Sequence, residues 1–179
     1  MEFIRINSDK DEYADELIML YLDTFPETQR HTEDDFRKLL GREERFHCNA
    51  VLMNNALVGF FHNWDFDEFV FLEHVAVEPP LRGHKLGEKI ISLARQSTKR
   101  PLVLEVEKAE DSEWGARRIE FYHRLGFQII PVEYVQPPYR KDGSYIPLHL
   151  MSNDPEFVTK NYEKIKDIIY KNVYKTGNM

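Results

Sequence analysis

The chain is poor in cysteine, since its 179 residues include only Cys48. A single cysteine cannot form an intramolecular disulfide, so the fold must rest on a hydrophobic core, for which 42% hydrophobic residues are sufficient. The chain also lacks a signal peptide and any apolar run near the ~20 residues that cross a bilayer, so we expect a cytoplasmic protein without membrane contact. Neither Cys48 nor the seven histidines show the spacing of zinc ligands, so no metal site is expected.

Positively charged residues are fewer than negatively charged ones. The chain has 24 Lys and Arg residues against 31 Asp and Glu residues, a formal net charge of −7. This balance argues against a nucleic-acid partner and is compatible with a cationic amine as substrate. A P-loop nucleotidase is excluded because it needs G-x-x-x-x-G-K-[ST], whereas Gly87 is followed by Glu88 and Lys89 without a hydroxyl residue in place.

Hydrophobic periodicity predicts an α/β (α+β) chain with the element order βααβββαβαββ and one further helix. The seven predicted strands cover residues 2–6, 47–53, 56–63, 69–77, 102–107, 127–136 and 145–151. The predicted helices cover residues 13–21, 36–40, 85–97, 111–125 and 155–173. No repeat, linker or low-complexity segment interrupts this order, so we expect one domain.

Polar residues and glycine mark the ends of these elements. Capping signatures precede three helices, at Ser8 with Asp11, at Thr32 with Asp35, and at Asp111 or Ser112. Gly41 is typical of the residue that ends a helix. Asn54 and Asn55 tolerate left-handed conformations, so they predict a tight hairpin between the second and third strands.

The stretch VAVEPPLRGHKLGEKI, residues 75–90, leads from an apolar strand through a Pro-Pro turn into a glycine-flanked helix start. Backbone N–H groups at a helix N-terminus have no intrahelical partner and lie at the positive end of the helix dipole. Arg82 and Lys85 add full positive charges close to them. The stretch therefore predicts a site for a phosphate group.

This stretch resembles motif A of the GNAT family of N-acetyltransferases, Q/R-x-x-G-x-G/A after a strand, which binds the pyrophosphate of acetyl-CoA. Arg82 and Gly87 occupy its first and last slots, Lys85 stands in the middle glycine slot, and Gly83 lies two residues earlier. A residue already in helical conformation at position 85 would need no positive φ. The resemblance implies that acetyl-CoA is bound by Val75, Ala76, Val77, Arg82, Gly83, His84, Lys85, Leu86 and Gly87.

A second stretch, RRIEFYHRLGF at residues 117–127, is similar to motif B of the same family, a helix ending A-x-x-x-Y-x-x-x-G-F. Tyr122 falls on its tyrosine, Arg118 on the slot of a small residue, and Gly115 on the slot where many members have an asparagine that contacts pantetheine. The resemblance implies an acyl-CoA N-acyltransferase fold over residues 1–151, with a mixed seven-stranded sheet flanked by helices. Residues 152–179 are then an extra C-terminal helix packed on the same domain.

Acetyl transfer needs a proton acceptor, because an amine with a reference pKa of about 10.4 is mostly protonated near neutrality. We expect Glu73, on the same strand face as Val75 and Val77, to fill this role through water, with an ion pair to an Arg or His as the alternative. His74, on the opposite face, is expected to be structural. The resemblance implies that Tyr122 protonates the CoA thiolate, with a core tyrosine as the alternative, and that the Val75 N–H holds the thioester carbonyl.

The strand that follows the motif A helix carries an acidic pair. Glu105 and Glu107 lie two residues apart on one strand, where they either select a cationic amine, share the proton relay or are simply solvated. Aromatic residues suited to an amine beside an apolar or planar group, with core packing as the alternative for most of them, are Tyr21, Phe25, His62, Trp64, Tyr134 and Tyr139. Predicted acceptor contacts are Glu105, Trp64, Tyr134 and Tyr139.

The sequence thus predicts an acetyl-CoA-dependent N-acetyltransferase that uses acetyl-CoA as co-substrate and no metal. A primary amine, on a small molecule or a peptide, would attack the thioester directly in a ternary complex, because no covalent nucleophile is evident. A non-catalytic acyl-CoA-binding or regulatory relative is the alternative. A monomer and a homodimer are both open.

Overall fold

The computed structural model describes residues 1–111 and 113–176, and these form eight strands and six α-helices. The chain divides into two units, of which the first contains Met1–Asp67 and Leu72–Lys99 and the second contains Glu68–Phe71 and the described residues from Arg100 onward. Ser112, one of two predicted helix caps, lies outside the described residues, as do residues 177–179 at the end of the predicted C-terminal extension. No helix in the described part of the chain is long and apolar enough to cross a membrane.

The first unit is a sheet with helices packed on it. Its strands, adjacent in chain order, are β1 (Glu2–Ile6), β2 (Phe46–Met53), β3 (Ala56–Asp65) and, from Leu72 onward, β4 (Val70–Val77). Strand β1 pairs antiparallel with β2, and β2 with β3. Its helices are α1 (Ala14–Thr24), α2 (Glu33–Leu39) and α3 (Leu86–Gln96), and α1 and α3 pack on β3. The packing buries apolar residues of α3 such as Ile90 and Ala94.

Three local predictions in this unit are confirmed. Asn54 and Asn55 both have positive φ, 53° and 62°, and join β2 to β3 as a hairpin. The Thr32 side chain accepts a hydrogen bond from the Asp35 N–H at 3.1 Å and caps α2. Gly41, with φ 72°, follows the end of that helix.

The capping box predicted at Ser8 and Asp11 is wrong. The Asp11 carboxylate accepts from the Ser8 N–H at 3.0 Å and from the Asn7 N–H at 2.7 Å, which closes a turn ahead of the helix. Helix α1 begins only at Ala14, after Tyr13 in the left-handed conformation and without a side-chain cap. The same residue types therefore stabilise a turn, because their short side chains bond to nearby backbone in non-helical conformations as well.

In the second unit one strand pairs with three others. Strand β8 (Ile146–Ser152) runs antiparallel to β5 (Leu102–Glu107), β6 (Gln128–Ile129) and β7 (Tyr134–Gln136). The helices of this unit are α4 (Glu113–Arg124), α5 (Pro155–Lys160) and α6 (Tyr162–Asn172). Helix α4 packs on β5 and α5 on β8.

Two predicted elements of the second unit are each divided in the structure. The strand expected over 127–136 is β6 and β7, because Pro131 has no N–H for a ladder and the Val132 N–H turns back to the Ile130 carbonyl at 2.8 Å. The described residues thus contain eight strands instead of seven. The final helix is divided at Asn161, which leaves the helical conformation at φ −110° and ψ 17° and whose side-chain amide donates to the Phe157 carbonyl at 2.8 Å.

Candidate active site

The loop between β4 and α3 carries the motif A residues, and residues 82–85 are exposed. Arg82 does not extend freely into solvent, since its Nε donates to the Val77 carbonyl at 3.0 Å and its Nη2 to the Thr24 hydroxyl at 3.5 Å. The guanidinium is therefore held at the end of β4. Gly83 has φ 84°, a conformation that favours glycine.

Lys85 departs from the helical conformation expected from the sequence. It has φ 58° and ψ 16° and precedes α3 in the left-handed region, and its carbonyl accepts the first helical hydrogen bond, from the Lys89 N–H at 3.3 Å. A lysine here keeps the backbone shape that glycine adopts without strain, at a cost of about 1–2 kcal/mol. The backbone geometry of the motif is thus retained without its middle glycine.

Gly59 on β3 packs directly against β4 and α3, the strand and helix on either side of this loop. A Cβ at this position would lie 2.3 Å from the Ala76 carbonyl oxygen, 2.8 Å from Ile90 Cδ1 and 3.2 Å from Val77 Cα. Only glycine therefore lets β3 approach β4 and α3 this closely. The sequence analysis missed this residue, although an isolated glycine within a strand pattern is a signal of close backbone approach.

Glu73 on β4 is a buried carboxylate, with its side chain only 1% exposed. Its Oε2 accepts from the Trp64 indole N–H at 2.7 Å, and its Oε1 lies 3.2 Å from His31 Nε2 and 3.8 Å from His74 Nδ1. Burial raises the pKa of Glu73, but the hydrogen bond from His31, the charge of His74 and the Trp64 N–H outweigh it and lower the pKa to about 2. The carboxylate is therefore ionised at neutral pH, in contact with a histidine.

Two further histidines pack beside this pair. His74 has its Nε2 3.0 Å from the Gln29 carbonyl and its ring edge-on to Phe25 at 4.4 Å, which are the partners of a structural histidine. His62 is fully buried and stacked on Phe60 at 4.3 Å, and burial lowers its pKa well below the usual value. Despite these histidines, no group of three or more His, Cys, Asp or Glu among the described residues could hold a metal ion.

Tyr122 on α4 is half-buried in the second unit and packs edge-on to Phe127 at 5.8 Å. Burial raises the pKa of Tyr122 to about 12, with a smaller opposing effect from Arg118. The phenol is therefore protonated at neutral pH, as a proton donor to a thiolate must be. Gly126, with φ 84°, allows the Phe127 N–H to return to the Tyr122 carbonyl at 3.0 Å and ends the helix.

The surroundings of Gly115 and Arg118 explain the two positions at which this chain departs from motif B. A Cβ at Gly115 would lie 2.5 Å from the Lys108 carbonyl oxygen and 3.2 Å from that of Glu107, so an asparagine does not fit. Arg118 places its guanidinium 3.2 Å from the Glu107 carboxylate. Glu107 thus forms an ion pair with Arg118 and is also partly exposed to solvent, with 29% of its side-chain surface accessible.

Glu105, the other member of the acidic pair, accepts three hydrogen bonds. The Tyr134 hydroxyl donates to its Oε1, while Gln136 Nε2 and the Tyr174 hydroxyl donate to its Oε2, each at 2.6 Å. Tyr174 follows α6, so the C-terminal segment reaches the carboxylate on β5. The ring of Tyr139 packs edge-on against that of Tyr174, with 5.0 Å between the ring centroids. The Tyr134 side chain is fully buried.

Comparison with known proteins identifies the same family as the two sequence motifs. The profile of the acetyltransferase (GNAT) domain matches residues 44–129. A solved structure from Bacteroides thetaiotaomicron, assigned to the GNAT acetyltransferases, has 32% sequence identity and a TM-score of 0.91, covering 97% of this chain and 98% of that one. The chain belongs to the GNAT family. Its fold is the mixed α/β fold of that family, a sheet flanked by helices, as predicted.

Two further proteins match a smaller part of the chain or match it less closely in fold. YjbC of Bacillus subtilis (strain 168), assigned as an acetyltransferase, is 34% identical over 65 residues, which cover 36% of this chain and only 33% of YjbC. The match thus spans about a third of that relative's length. An aminoglycoside 6′-N-acetyltransferase complexed with coenzyme A has a TM-score of 0.59 at 17% identity, covering 85% of this chain and 96% of that one, and shows likeness of fold alone.

In this GNAT protein two predicted acceptor residues contact the predicted carboxylates but are buried. Trp64 joins Glu73, and Tyr134 joins Glu105, but both aromatic side chains are fully buried and so offer no surface to an acceptor. The analysis of the sequence missed His31, which comes 42 residues before Glu73 in the chain and follows no local pattern. It also missed Gln136 and Tyr174, whose roles depend on pairing between distant segments.

Proposed function

We propose that this GNAT protein is an acetyl-CoA-dependent N-acetyltransferase whose acceptor is a primary amine. The observation that carries the proposal is the β4–α3 loop, which is exposed and has positive φ at both Gly83 and Lys85. Left-handed residues before a helix form a concave nest of backbone N–H groups, and the helix dipole favours an anion there.

The residues present fit the pyrophosphate of acetyl-CoA. A Cβ at Gly83 would meet no atom within 4 Å, so there is open space beside the loop. Arg82 and Lys85 supply positive charge, and the remaining proposed contacts are Val75, Ala76, Val77, His84, Leu86 and Gly87. The coenzyme A complex of a protein with the same fold supports this assignment.

In the proposed reaction the amine nitrogen attacks the thioester carbonyl carbon directly, in a ternary complex. The C–N bond forms, the C–S bond breaks and the CoA sulfur leaves as a thiolate. The amine loses one proton, for which Glu73 is the predicted acceptor through water, and the thiolate takes one, for which Tyr122 is the predicted donor. The Val75 N–H is the predicted donor to the carbonyl oxygen as it becomes an oxyanion.

The acceptor is proposed to be a small-molecule or peptide amine. The net charge of −7 and the partly exposed Glu105 and Tyr139 favour a cationic group. Trp64 and Tyr134, also predicted contacts, would act by orienting Glu73 and Glu105, since both are buried. The division into a catalytic domain over 1–151 and an extension over 152–179 remains a prediction.

The proposal is tested first by binding. A thermal-shift titration with acetyl-CoA, beside ATP and NAD, should give a stabilisation specific to acetyl-CoA that follows RT ln(1 + [L]/Kd). Thiol release is then measured against a panel of polyamines, amino acids, aminoglycosides, arylalkylamines and peptides. Acetyl-CoA binding without turnover on any amine would favour the non-catalytic alternative, and the absence of binding would contradict both functions.

Two variants test the proposed roles. Arg82→Ala is expected chiefly to weaken acetyl-CoA binding, because it removes a charge beside the pyrophosphate. Tyr122→Phe is expected to lower kcat with cofactor affinity little changed, because it removes only the hydroxyl proton. The reverse pattern would contradict both assignments.

A further inference from the structure

Arg118 on α4 stands in the slot of motif B that usually holds a small residue, and the reaction proposed above gives it no role. It lies four residues before Tyr122 in the same helix, Glu113–Arg124. Residues four apart are neighbours on one helix face, with about 5–6 Å between their Cβ atoms. Helical side chains lean toward the N-terminus of their helix, so the Tyr122 ring leans toward the turn that carries Arg118. The two side chains therefore share one face of α4.

The Arg118 side chain is held on the side of α4 that faces β5. Its Nη1 lies 3.2 Å from Glu107 Oε2, at the end of β5. Three residues earlier in the helix, a Cβ at Gly115 would lie 2.5 Å from the Lys108 carbonyl oxygen, so α4 passes close to the end of this strand. The ion pair is partly exposed and therefore adds little to stability. Its main effect is to fix where the positive charge of Arg118 lies.

The charge of Arg118 acts on the phenol of Tyr122. Burial raises the pKa of Tyr122 to about 12, and the positive charge of Arg118 acts in the opposite direction. A nearby cation favours the charged form of an acid, which for tyrosine is the phenolate. A guanidinium stays protonated at every pH at which the protein is assayed, so this effect is constant. Arg118 therefore offsets part of the cost of removing the proton from a buried phenol.

We propose that Arg118 is a positioning residue for the leaving-group step, in which its guanidinium stabilises the negative charge that Tyr122 acquires when its proton passes to the CoA thiolate. This inference rests on the proposed N-acetyltransferase function and adds a residue to it. The O–H bond of Tyr122 breaks, the S–H bond of CoA forms, and the phenolate lies beside Arg118 until it takes a proton from solvent. Glu107 holds the guanidinium in place and exchanges no proton.

Arg117, the preceding residue, provides a matched control. Its guanidinium lies 5.3 Å from the centroid of the Trp114 ring and 3.9 Å from the Glu113 carboxylate, and its side chain is 68% exposed. Successive residues of a helix are about 100° apart around the axis, so Arg117 is turned away from the face shared by Arg118 and Tyr122. Both arginines carry one charge and contact one carboxylate. An effect of net charge or helix stability should thus appear at both positions, whereas an effect through Tyr122 should appear only at Arg118.

The kinetic test measures Arg118→Met, Arg118→Lys and Arg117→Met with acetyl-CoA and the amine that gives the fastest thiol release in the panel. Arg118→Met should lower kcat by roughly 3- to 10-fold, because water screens a half-exposed charge, while the Kd of acetyl-CoA stays unchanged. Arg118→Lys should recover part of this loss, since it keeps the charge, and Arg117→Met should keep the wild-type kcat. Combined with Tyr122→Phe, Arg118→Met should have no further effect, because no phenolate forms.

A second measurement needs neither turnover nor acetyl-CoA. Difluorotyrosine in place of Tyr122 ionises at lower pH than tyrosine, and its fluorine NMR signal follows the titration in the folded protein. Arg118→Met should raise the pKa of this phenol, because it removes the cation that favours the phenolate, and Arg117→Met should leave that pKa unchanged. The other charged groups on α4 and at the end of β5 are the same in all these proteins: Glu107, Lys108, Glu113, Glu120, His123 and Arg124. Arg118→Gln is the second variant if Arg118→Met does not fold.

The inference is overturned if Arg118→Met and Arg117→Met change kcat equally, or if Arg118→Met lowers kcat as much beside Tyr122→Phe as it does alone. It is also overturned if the fluorine titration is the same with and without Arg118. Failure of acetyl-CoA to bind the wild type would instead contradict the proposed function, and the fluorine titration would still decide whether the charge of Arg118 acts on the phenol.

Discussion

The indole N–H of Trp64 donates to Glu73 at 2.7 Å, and both side chains are removed from water. This bond satisfies the carboxylate oxygen that does not face His31. Removing it leaves a buried charge with one donor fewer, and a hydrogen bond to a charged group contributes about 1.5–3 kcal/mol. The pair therefore contributes to the stability of the fold.

We expect Trp64→Phe to lower the free energy of unfolding by about 1.5–3 kcal/mol at neutral pH, because phenylalanine keeps an aromatic ring but has no N–H. Urea denaturation measures this loss. The double variant with Glu73→Gln should show less than the sum of the two single losses, since the bond is shared. A loss within about 0.5 kcal/mol, the range of surface substitutions, would contradict the importance of the bond.

The lowered pKa of Glu73 makes stability depend on pH in the acid range. Its folded pKa is about 2, whereas a glutamate in the unfolded chain titrates near a pKa of about 4.3. The stabilisation is thus present above the unfolded pKa and is lost as the pH falls from about 4.3 to 2. Melting temperatures of wild type and Glu73→Gln should converge over this range. Parallel curves would contradict the assignment.

Lys85 offers a separate test of the motif A backbone. Lys85→Gly relieves the left-handed strain, whereas Lys85→Ala removes the charge and keeps the strain, so the glycine variant should be more stable than the alanine variant by about 1 kcal/mol. Both variants should bind acetyl-CoA more weakly than wild type at low salt, because both lack the charge. Equal stability of the two variants would contradict a left-handed residue at this position.

Much of this GNAT fold could be predicted from local signals. The Asn54-Asn55 hairpin and the Thr32 cap follow from the conformations and hydrogen bonds that those residues prefer, and both are confirmed. The break at Asn161 could not be predicted from periodicity, because the apolar residues on either side continue the same helical stripe. The capping box at Ser8 failed because a turn satisfies the same groups.

The candidate site could be predicted only in part, because some of its contacts join residues that are far apart in the chain. The motifs located Tyr122 on the correct helix and Lys85 directly before the start of the correct one, since each motif is continuous in the chain. The contact of His31 with Glu73 and that of Tyr174 with Glu105 join residues 42 and 69 positions apart. Such pairs depend on packing between distant segments, and one sequence carries no local pattern for them.

Gly59 on β3 and Gly83 in the β4–α3 loop should respond differently to alanine. Gly59→Ala meets the Ala76 carbonyl oxygen at 2.3 Å, so it should destabilise the fold by about 1–3 kcal/mol, as overpacking does, and weaken acetyl-CoA binding by displacing β4. Gly83→Ala meets no atom but has φ 84°, so its cost should be limited to left-handed strain, about 1–2 kcal/mol. Chemical denaturation and acetyl-CoA titration of both variants decide this. Intact binding in a folded Gly59→Ala protein would contradict the close approach.

Cys48 tests the proposed direct attack. It is buried on β2, and burial raises the pKa of its thiol well above the usual value, so the nucleophilic thiolate is disfavoured. We expect Cys48→Ala to retain kcat, and wild type incubated with acetyl-CoA alone to show no acetylated form by intact-mass spectrometry. Modification of Cys48 by a thiol reagent should follow the rate of unfolding and rise in denaturant. A burst of acetyl-enzyme that maps to Cys48 would replace direct attack by a covalent intermediate.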